Sequence, residues 1–439
     1  MMTEQREGQE TFQLFLEDLY GQIDDAADPL QKIRAKAWEH FLELGLPTKR
    51  NDVYRYVRLR SFFANSYEPA QFTEVAESTI DAHVLPECTN SVAVFINGQF
   101  SPLHSRLKGV SSRIVIETIA QGMKTYGSFL NSQSTKSLKD ETDPFAALNA
   151  AVHSDGLFLY LPPKTISEVP LQLLNIIDTD TVPMFIVPRV QIFVGMQSQI
   201  SIVSTQTVLS GGNYAFNMVA DISIEEDAHV RYTQAACGIN ERIWHFEAIR
   251  ATLKRDSTLN TVNVTDGSAT ARFDYRAALI GPNAEVLLNG VWMLAGKNEA
   301  HMHVLVDHQA PNCRSMQLFK GALGDFSRSS FEGKILVRQA AQKTEAFQLN
   351  KNLLLSDRAN ADSKPNLEIF ADDVKASHGS TVGQLDKDQI FYMKTRGFSD
   401  AAAKNLLVYG FCQEVIDLIT IPSLHDSLKK VAQGFLHSS

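Results

Sequence analysis

With 439 residues, 44% apolar and 21% charged, the chain is too long for one ordinary core and too apolar to be disordered, so two or three globular units are expected. Its net charge of −9 argues against nucleic-acid binding as a main task, and no apolar run approaches the length that spans a bilayer. The N-terminal MMTEQREGQE has no apolar h-region, which adds the expectation of a soluble, cytoplasmic protein without membrane attachment.

Residues 9–44 carry two apolar stripes at helical spacing: Phe12, Phe15, Leu16, Leu19 and Tyr20, then Ile33, Ala37, Trp38, Phe41 and Leu42. The break at Asp28-Pro29 and the stop at Gly45 and Pro47 predict a helical hairpin. Lys49 to Arg60 (KRNDVYRYVRLR) sets five basic residues around Tyr54 and Tyr56, a pattern for stacking and ion pairing or, more simply, for a solvated linker face. Residues 1–90 thus read as an N-terminal helical region and linker. SVAVFINGQFSPL predicts a strand pair turning at Asn97-Gly98. Helical pieces over 112–130 and 143–154 form an insert of about 112–154 in a β core that runs from 91 to 385.

From Gly156 to Leu385 short runs of alternating Val, Ile, Phe, Leu and Thr are separated by Gly, Asn, Asp and Pro, the pattern of a large all-β region. Within it a polar corner repeatedly precedes an apolar strand start, at Ile200, Val230, Leu259, Val286 and Met316, in steps of 30, 29, 27 and 30 residues. A strand-only unit of that length predicts a solenoid whose coils share one core, a β-helix in place of a propeller or sandwich. The chain closes with helices over 386–439. Asp386 caps KDQIFYMKTR, Gly397 stops it, and Ser399 caps a second helix with an apolar face of Leu406, Leu407, Phe411, Val415, Leu418 and Ile419; a third covers Leu424 to Phe435.

The chemistry-bearing residues are sparse. Cys88, Cys237, Cys313 and Cys412 are far apart and make no C-x-x-C pair, so reduced, buried thiols are expected, with neither a disulfide framework nor a self-contained metal site. His301 and His303 alternate along HMHVLVDH and face one way, either a metal half-site that Glu299 or Asp307 completes or ordinary strand histidines. LSGGNY and LKGALGDFSRSSFEGK contain neither a P-loop nor a dinucleotide fingerprint, so the chain is not expected to hydrolyse ATP. His378 sits in a Gly-flanked run of small residues, with Ser377, Ser380 and Thr381 near its ring. It either hydrogen-bonds a strand-to-helix corner or ligates a soft metal.

The segment around His378 reads DDVKASHGSTVGQLD and then QIFYMKTRG. It resembles the C-terminal signature of the SufB/SufD family of the SUF iron–sulfur cluster assembly system, D-D-V-x-x-S-H-G-x-T-V-G-x-[LI]-D followed by Q-x-F-Y-x-x-x-R-G. Val53-Tyr54-Arg55-Tyr56 stands where the family has a W-[RK]-Y-[TS] core. Gly379 replaces the glutamate that follows the histidine in SufB-type chains, and Asn350 occupies the place of their scaffold cysteine, so the resemblance is to the SufD type. Many such chains also carry a cysteine two residues before the histidine; here it is Ala376, which leaves His378 to act without that thiol.

The resemblance implies a mainly β fold, a right-handed parallel β-helix flanked by N- and C-terminal helical regions. It implies a non-catalytic scaffold subunit that pairs with a SufB-like subunit, binds a SufC-like ATPase through its C-terminal helices, and contributes His378 to a nascent iron–sulfur cluster at the shared interface. A part in iron acquisition and a reduced flavin in the complex are also implied, without residues for the flavin, and self-pairing of the isolated chain is left open. The alternative is a secreted-type β-helix polysaccharide lyase or hydrolase, disfavoured by the missing signal peptide and resting on fold analogy alone.

Overall fold

The computed structural model describes residues 2–23, 27–48, 51–180, 183–210, 213–238 and 242–435. Lys49 and Arg50 of the basic stretch, the glycines of LSGGNY and the last four residues of the C-terminal region lie outside them. The core is a solenoid of parallel strands. Among the described residues there are two sheets, of 11 and 10 strands, and from Arg189 to Gln384 successive strands go to them alternately, so each of these coils contributes one strand to each sheet. In the 10-stranded sheet Ile200, Val230, Leu259, Val286, Ser315, Ala346 and Ala376 lie in one register column. The expected repeat is therefore present, with one correction: the counterpart of Val286 is Ser315, not Met316, because the interior position at that coil is a small polar residue and periodicity of apolar residues skips to the next one.

The polar corners have a conformational cause. Gln197, Asp227, Asp256, Asn283, Asn312 and Lys343 each adopt φ between 57° and 61°, the left-handed region that Asn and Asp tolerate best among residues with a side chain. The N–H at Gln197, Asp227, Asp256, Asn283 and Asn312 donates to a carbonyl of the next coil's corner, at 2.9, 2.9, 3.0, 3.2 and 2.9 Å. A turn that reverses the chain within one coil is thus also a rung between coils.

The solenoid interior is a continuous stack of aliphatic and aromatic side chains from Phe95 to Phe331, including Phe216, Tyr232, Phe273, Tyr275, Trp292 and Phe319. Helices cover the outer faces. α1 (Met2–Ile23) and α2 (Gln31–Leu44) form as expected and meet where Tyr20 stacks on Trp38, ring centroids 4.6 Å apart. Each nevertheless packs mainly elsewhere. α1 lies on the short α3 (Arg60–Phe63), while α2 lies on the insert helices α5 (Ile119–Lys139) and α6 (Pro144–Val152); α4 (Glu77–Asp81) is a further short turn. Their apolar stripe, Phe12, Leu16, Phe41 and Phe62, closes over Phe185, Trp244 and Phe246 on the outer face of the 11-stranded sheet. Leu42, expected in that stripe, is exposed. The strand pair Val92–Ile96 and Gln99–Arg106 turns at Asn97-Gly98, both at positive φ. Helix was expected from Ser112, but Val115–Thr118 is a strand paired antiparallel with Leu157–Leu161, and the helix begins only where Thr118 caps it.

At the other end α7 (Lys387–Thr395), α8 (Asp400–Ile416) and α9 (Pro422–Gly434) follow the expected caps: Asp386 accepts from the amides of Asp388 and Gln389, and Ser399 from that of Ala402. α8 and α9 pack on the outer face of the 10-stranded sheet through Val408, Cys412, Val415, Ile416, Leu424 and Leu428. The buried face is rotated from the expected one, leaving Leu406 and Leu418 exposed. Lys320, buried under α8, donates to the Phe411 carbonyl at 2.8 Å, pairs with Glu414 and lies 4.7 Å from the Phe411 ring centroid.

A buried ionic network fastens the N-terminal region to the solenoid. The Tyr54 hydroxyl donates to Asp143 at 2.7 Å, and Arg272 pairs with Asp143 at 2.5 Å and Asp274 at 2.7 Å while lying 4.2 Å from the Tyr54 ring centroid. Arg250 joins Glu141 at 2.6 Å and Asp274 at 2.8 Å, and Arg276 reaches both acids. This corrects the solvated-linker reading of Lys49–Arg60: Arg55, Arg58 and Arg60 are exposed, but Tyr54 is fully buried in stacking and hydrogen bonding. Burial pushes Asp274 upward, yet Arg250, Arg276, His303 and Arg272 outweigh it and hold its carboxyl well below the usual range; Glu141 is held down in the same way by Arg250 and Arg276. A carboxylate with a depressed folded pKa stabilises the fold above the ordinary value of about 4, and the contribution drains away as pH falls below it. Asp274→Asn should therefore cost about 3–5 kcal/mol in urea unfolding at neutral pH, because three buried arginines are left sharing only Glu141 and Asp143. The deficit should shrink as pH drops from about 4 towards 2; a deficit unchanged across that window would contradict the assignment.

Candidate functional site

The segment Val374–Gln384 is an extended strand, the last of the 10-stranded sheet, and not the tight turn that its small residues suggest. Gly379 earns its place by proximity, since a Cβ there would lie 3.1 Å from Leu349 Cδ1. Strand alternation then sorts the hydroxyls. Ser380 shares the face of His378, whereas Ser377 and Thr381 point the other way.

Register places His378 against Gln348, Ala376 against Ala346 and Ser380 against Asn350. Ala346, Gln348, Asn350 and Asn352 are the buried, interior-facing positions of their strand. His378 thus belongs to the interior row of the final coil, but no further coil covers it, and it is exposed. Among the described residues it has no hydrogen-bond or ion-pair partner, so the corner hydrogen bond of the plainer reading does not form. Beneath it lies a polar ladder. Gln348 donates to Gln317 at 2.9 Å, Asn352 to Asn350 at 2.8 Å, and Asn350 to the Phe319 carbonyl at 3.3 Å. Gly333 and Gly321 make room for it, since a Cβ would collide with Gln348 Nε2 at 2.0 Å or with Asn352 Oδ1 at 2.5 Å. Reading strands only by apolar alternation missed this ladder; the signal was the inverse alternation in EAFQLNKNLL, where the amides take the interior positions.

The surroundings of His378 form the open end of the solenoid. Asn360–Ile369 and Val374–Gln384 are the edge strands of the two sheets. α7 buries no residue, and Phe370, Val382, Phe391, Tyr392 and Phe398 are 63%, 47%, 68%, 58% and 45% exposed. The two edges differ: Asn360–Ile369 carries Pro365 with Asp362 and Lys364, devices that blunt edge pairing, while Val374–Gln384 has no proline and one charge, Lys375.

The other candidates are occupied. His301 and His303 share a face as expected, but His301 contacts Ser330 at 2.7 Å and Glu299 at 3.2 Å, and His303 faces Asp274 at 3.1 Å. His308 turns inward to Ser315 at 2.8 Å, and burial lowers its pKa to about 4 against the opposing pull of Asp307. Asp307 is paired with Arg338 at 2.9 Å. No group of three or more His, Cys, Asp and Glu side chains is placed to hold a metal among the described residues. All four cysteines are free. Burial, aided by Glu87, pushes the Cys88 thiol up to about 12, and burial raises Cys412 to about 12 against the pull of Lys320. Cys237 and Cys313 are raised by burial as well. None offers a thiolate near neutral pH.

The family models for the SufBD N-terminal region and for the SufBD core domain of SUF iron–sulfur cluster assembly match residues 6–173 and 175–411. The chain is 29% identical to an iron–sulfur cluster assembly SufBD family protein of Synechocystis over 88% of its own length and 87% of the relative's. It is 26% identical to the iron–sulfur cluster assembly protein SufD of Escherichia coli over 87% of both chains, and 27% identical to the chloroplastic protein ABCI7 of Arabidopsis thaliana over 96% of its own length and 89% of the relative's. Matched by both family models along nearly its whole length, with the signature strand at the solenoid's open end, the chain belongs to the SufB/SufD family of the SUF iron–sulfur cluster assembly system.

Proposed function

We propose that this chain is a SufD-type, non-catalytic scaffold subunit that pairs with a SufB-like subunit through its terminal coil and presents His378 to a nascent iron–sulfur cluster at that junction. The observation that carries the proposal is an interior-row histidine, exposed and without a partner, on an edge strand that lacks proline. An edge strand exposes a row of unpaired amides and carbonyls, and a second sheet of the same kind satisfies them. The exposed rings of Phe370, Phe391 and Tyr392 supply apolar area beside it. The cluster is cargo here, built and released. Neutral imidazole is a borderline ligand for iron and suits that exchange, whereas the chain's own thiols are held protonated near neutral pH, so the sulfur ligands come from the partner. A role in iron acquisition follows from an imidazole that meets iron before the cluster is complete. The exposed Leu406 on α8, Leu418 in the turn that follows it and Val431 on α9 are the proposed contact for a SufC-like ATPase, whose motions would open the junction.

Co-expression with SufB-like and SufC-like subunits tests the assembly. The three should co-purify, and Phe391→Asp with Val382→Asp should release the SufB-like subunit while leaving the isolated chain folded by circular dichroism. Retention of a full complex would move the interface elsewhere. In the intact complex His378→Ala should keep subunit stoichiometry but lower iron and acid-labile sulfide after reconstitution. Equal iron and sulfide in wild type and variant would remove His378 from the cluster.

A further inference from the structure

A cleft of about 450 Å³ lies where the N-terminal linker crosses one corner of the solenoid. It spans the first residues of four successive strands, Trp244–Leu253, Thr270–Leu279, Glu299–His308 and Arg328–Val337. The linker contributes Arg58, and the corner turns contribute Lys297, Phe326 and Arg358. Its volume is that of a small-molecule site.

The charge of the cleft is the reverse of the chain's. Arg58, Lys297, Arg328 and Arg358 face one lining carboxylate, Glu299, in a protein of net charge −9. Glu299 is itself divided: one oxygen is 3.8 Å from Arg58, and the other is 3.2 Å from His301. Arg328 has one distant carboxylate partner among the described residues, Asp362 at 3.9 Å, which is outside the lining. Among the described residues Lys297 and Arg358 have no carboxylate partner; Arg358 instead lies 4.9 Å from the Phe326 ring centroid. Elsewhere many of the solenoid's surface cations are paired coil to coil, as in Lys254–Glu225, Lys334–Glu368 and Lys375–Glu345. A cavity that gathers cations and withholds their counter-charges is set for an anion brought from outside, and guanidinium forks grip phosphate and carboxylate alike.

We propose that this cleft binds a small molecule carrying two or more acidic groups, a phosphate ester or a polycarboxylate, with Lys297, Arg328 and Arg358 as its anion ligands and the Phe326 ring as its apolar wall. The site lies on a corner formed by coils of the solenoid and does not depend on His378 or on the partner assignment. Calorimetric titration of the full-length chain with inorganic pyrophosphate and, separately, citrate at about 0.15 M salt, where surface attraction is screened, tests it. At least one probe should bind saturably at one equivalent. Lys297→Gln with Arg358→Gln, both exposed turn positions, should weaken that binding at least about tenfold, the loss of one charge-assisted hydrogen bond or more. Lys429→Gln with Lys430→Gln on α9 should leave it unchanged. Binding of pyrophosphate alone assigns the phosphate ester, and of citrate alone the polycarboxylate. Absence of saturable binding by both probes, or equal binding by wild type and the Lys297/Arg358 variant, overturns the proposal.

Discussion

The structure rests on one constraint: a coil of a parallel solenoid has an interior row and two strand edges that only the next coil can satisfy. At the N-terminal end the demand is met by changing direction. The strands Gln99–Arg106 and Val115–Thr118 run antiparallel to their neighbours, Pro102 interrupts one edge, and α5 packs against Val115–Thr118 and Leu157–Leu161. At the C-terminal end nothing equivalent happens among the described residues. The final coil keeps the register of the coils before it, its interior row emerges into solvent, and α7 stands beside it with no buried residue. The ordinary logic that stabilises the middle of the solenoid therefore leaves its last turn incomplete, and the family signature falls on that turn.

The helical regions are held by a different kind of interaction on each face. On the 11-stranded sheet, aromatic packing around Phe62 and Phe246 is supplemented by buried arginines of the solenoid paired with acids of the insert, Glu141 and Asp143. Such pairs contribute little net stability over an apolar equivalent, but they penalise any other docking, because a displaced Asp274 or Arg272 would be a buried charge without a partner. On the 10-stranded sheet, Lys320 has a parallel role under α8, taking up the Phe411 carbonyl and Glu414. Neither anchor lies on an edge strand, Asp274 being three strands in from the open edge of its sheet and Lys320 two, so the exposed strand and α7 can engage a second chain without displacing them.

Local chemistry made much of the fold legible in the sequence. The caps at Asp386 and Ser399, the Asn97-Gly98 turn and the left-handed Asp and Asn corners each need only a few neighbouring residues to specify them, and each could be read directly. What could not be read depends on which residues stack between coils. Ser315 holds an interior position that apolar periodicity assigns to Met316; Gln348, Asn350 and Asn352 lie inside while Phe347 and Leu349 lie outside. Tyr54 and Asp143 are 89 residues apart, and no spacing rule connects them. His378 was legible as a residue of interest but not as a strand residue, because the glycines and serines that suggest a turn are equally suited to an edge strand with a close neighbour.

The chemistry of the open end follows from what is withheld from it. A soft ligand near His378 could come from within the chain only if a thiol stood at position 350 or 376, and those positions hold an asparagine tied to the Phe319 carbonyl and an alanine. The four thiols lie elsewhere, three buried and Cys237 half-buried, and all are held protonated, so they are spectators to metal chemistry. What remains is an imidazole above a ladder of amides, at the end of an interior row that the described residues do not continue. Under the proposed function, a cluster assembled there would be held by two chains at once, and any motion that parts the chains would also break its ligand set, so assembly and release would be functions of the junction and not of either subunit alone.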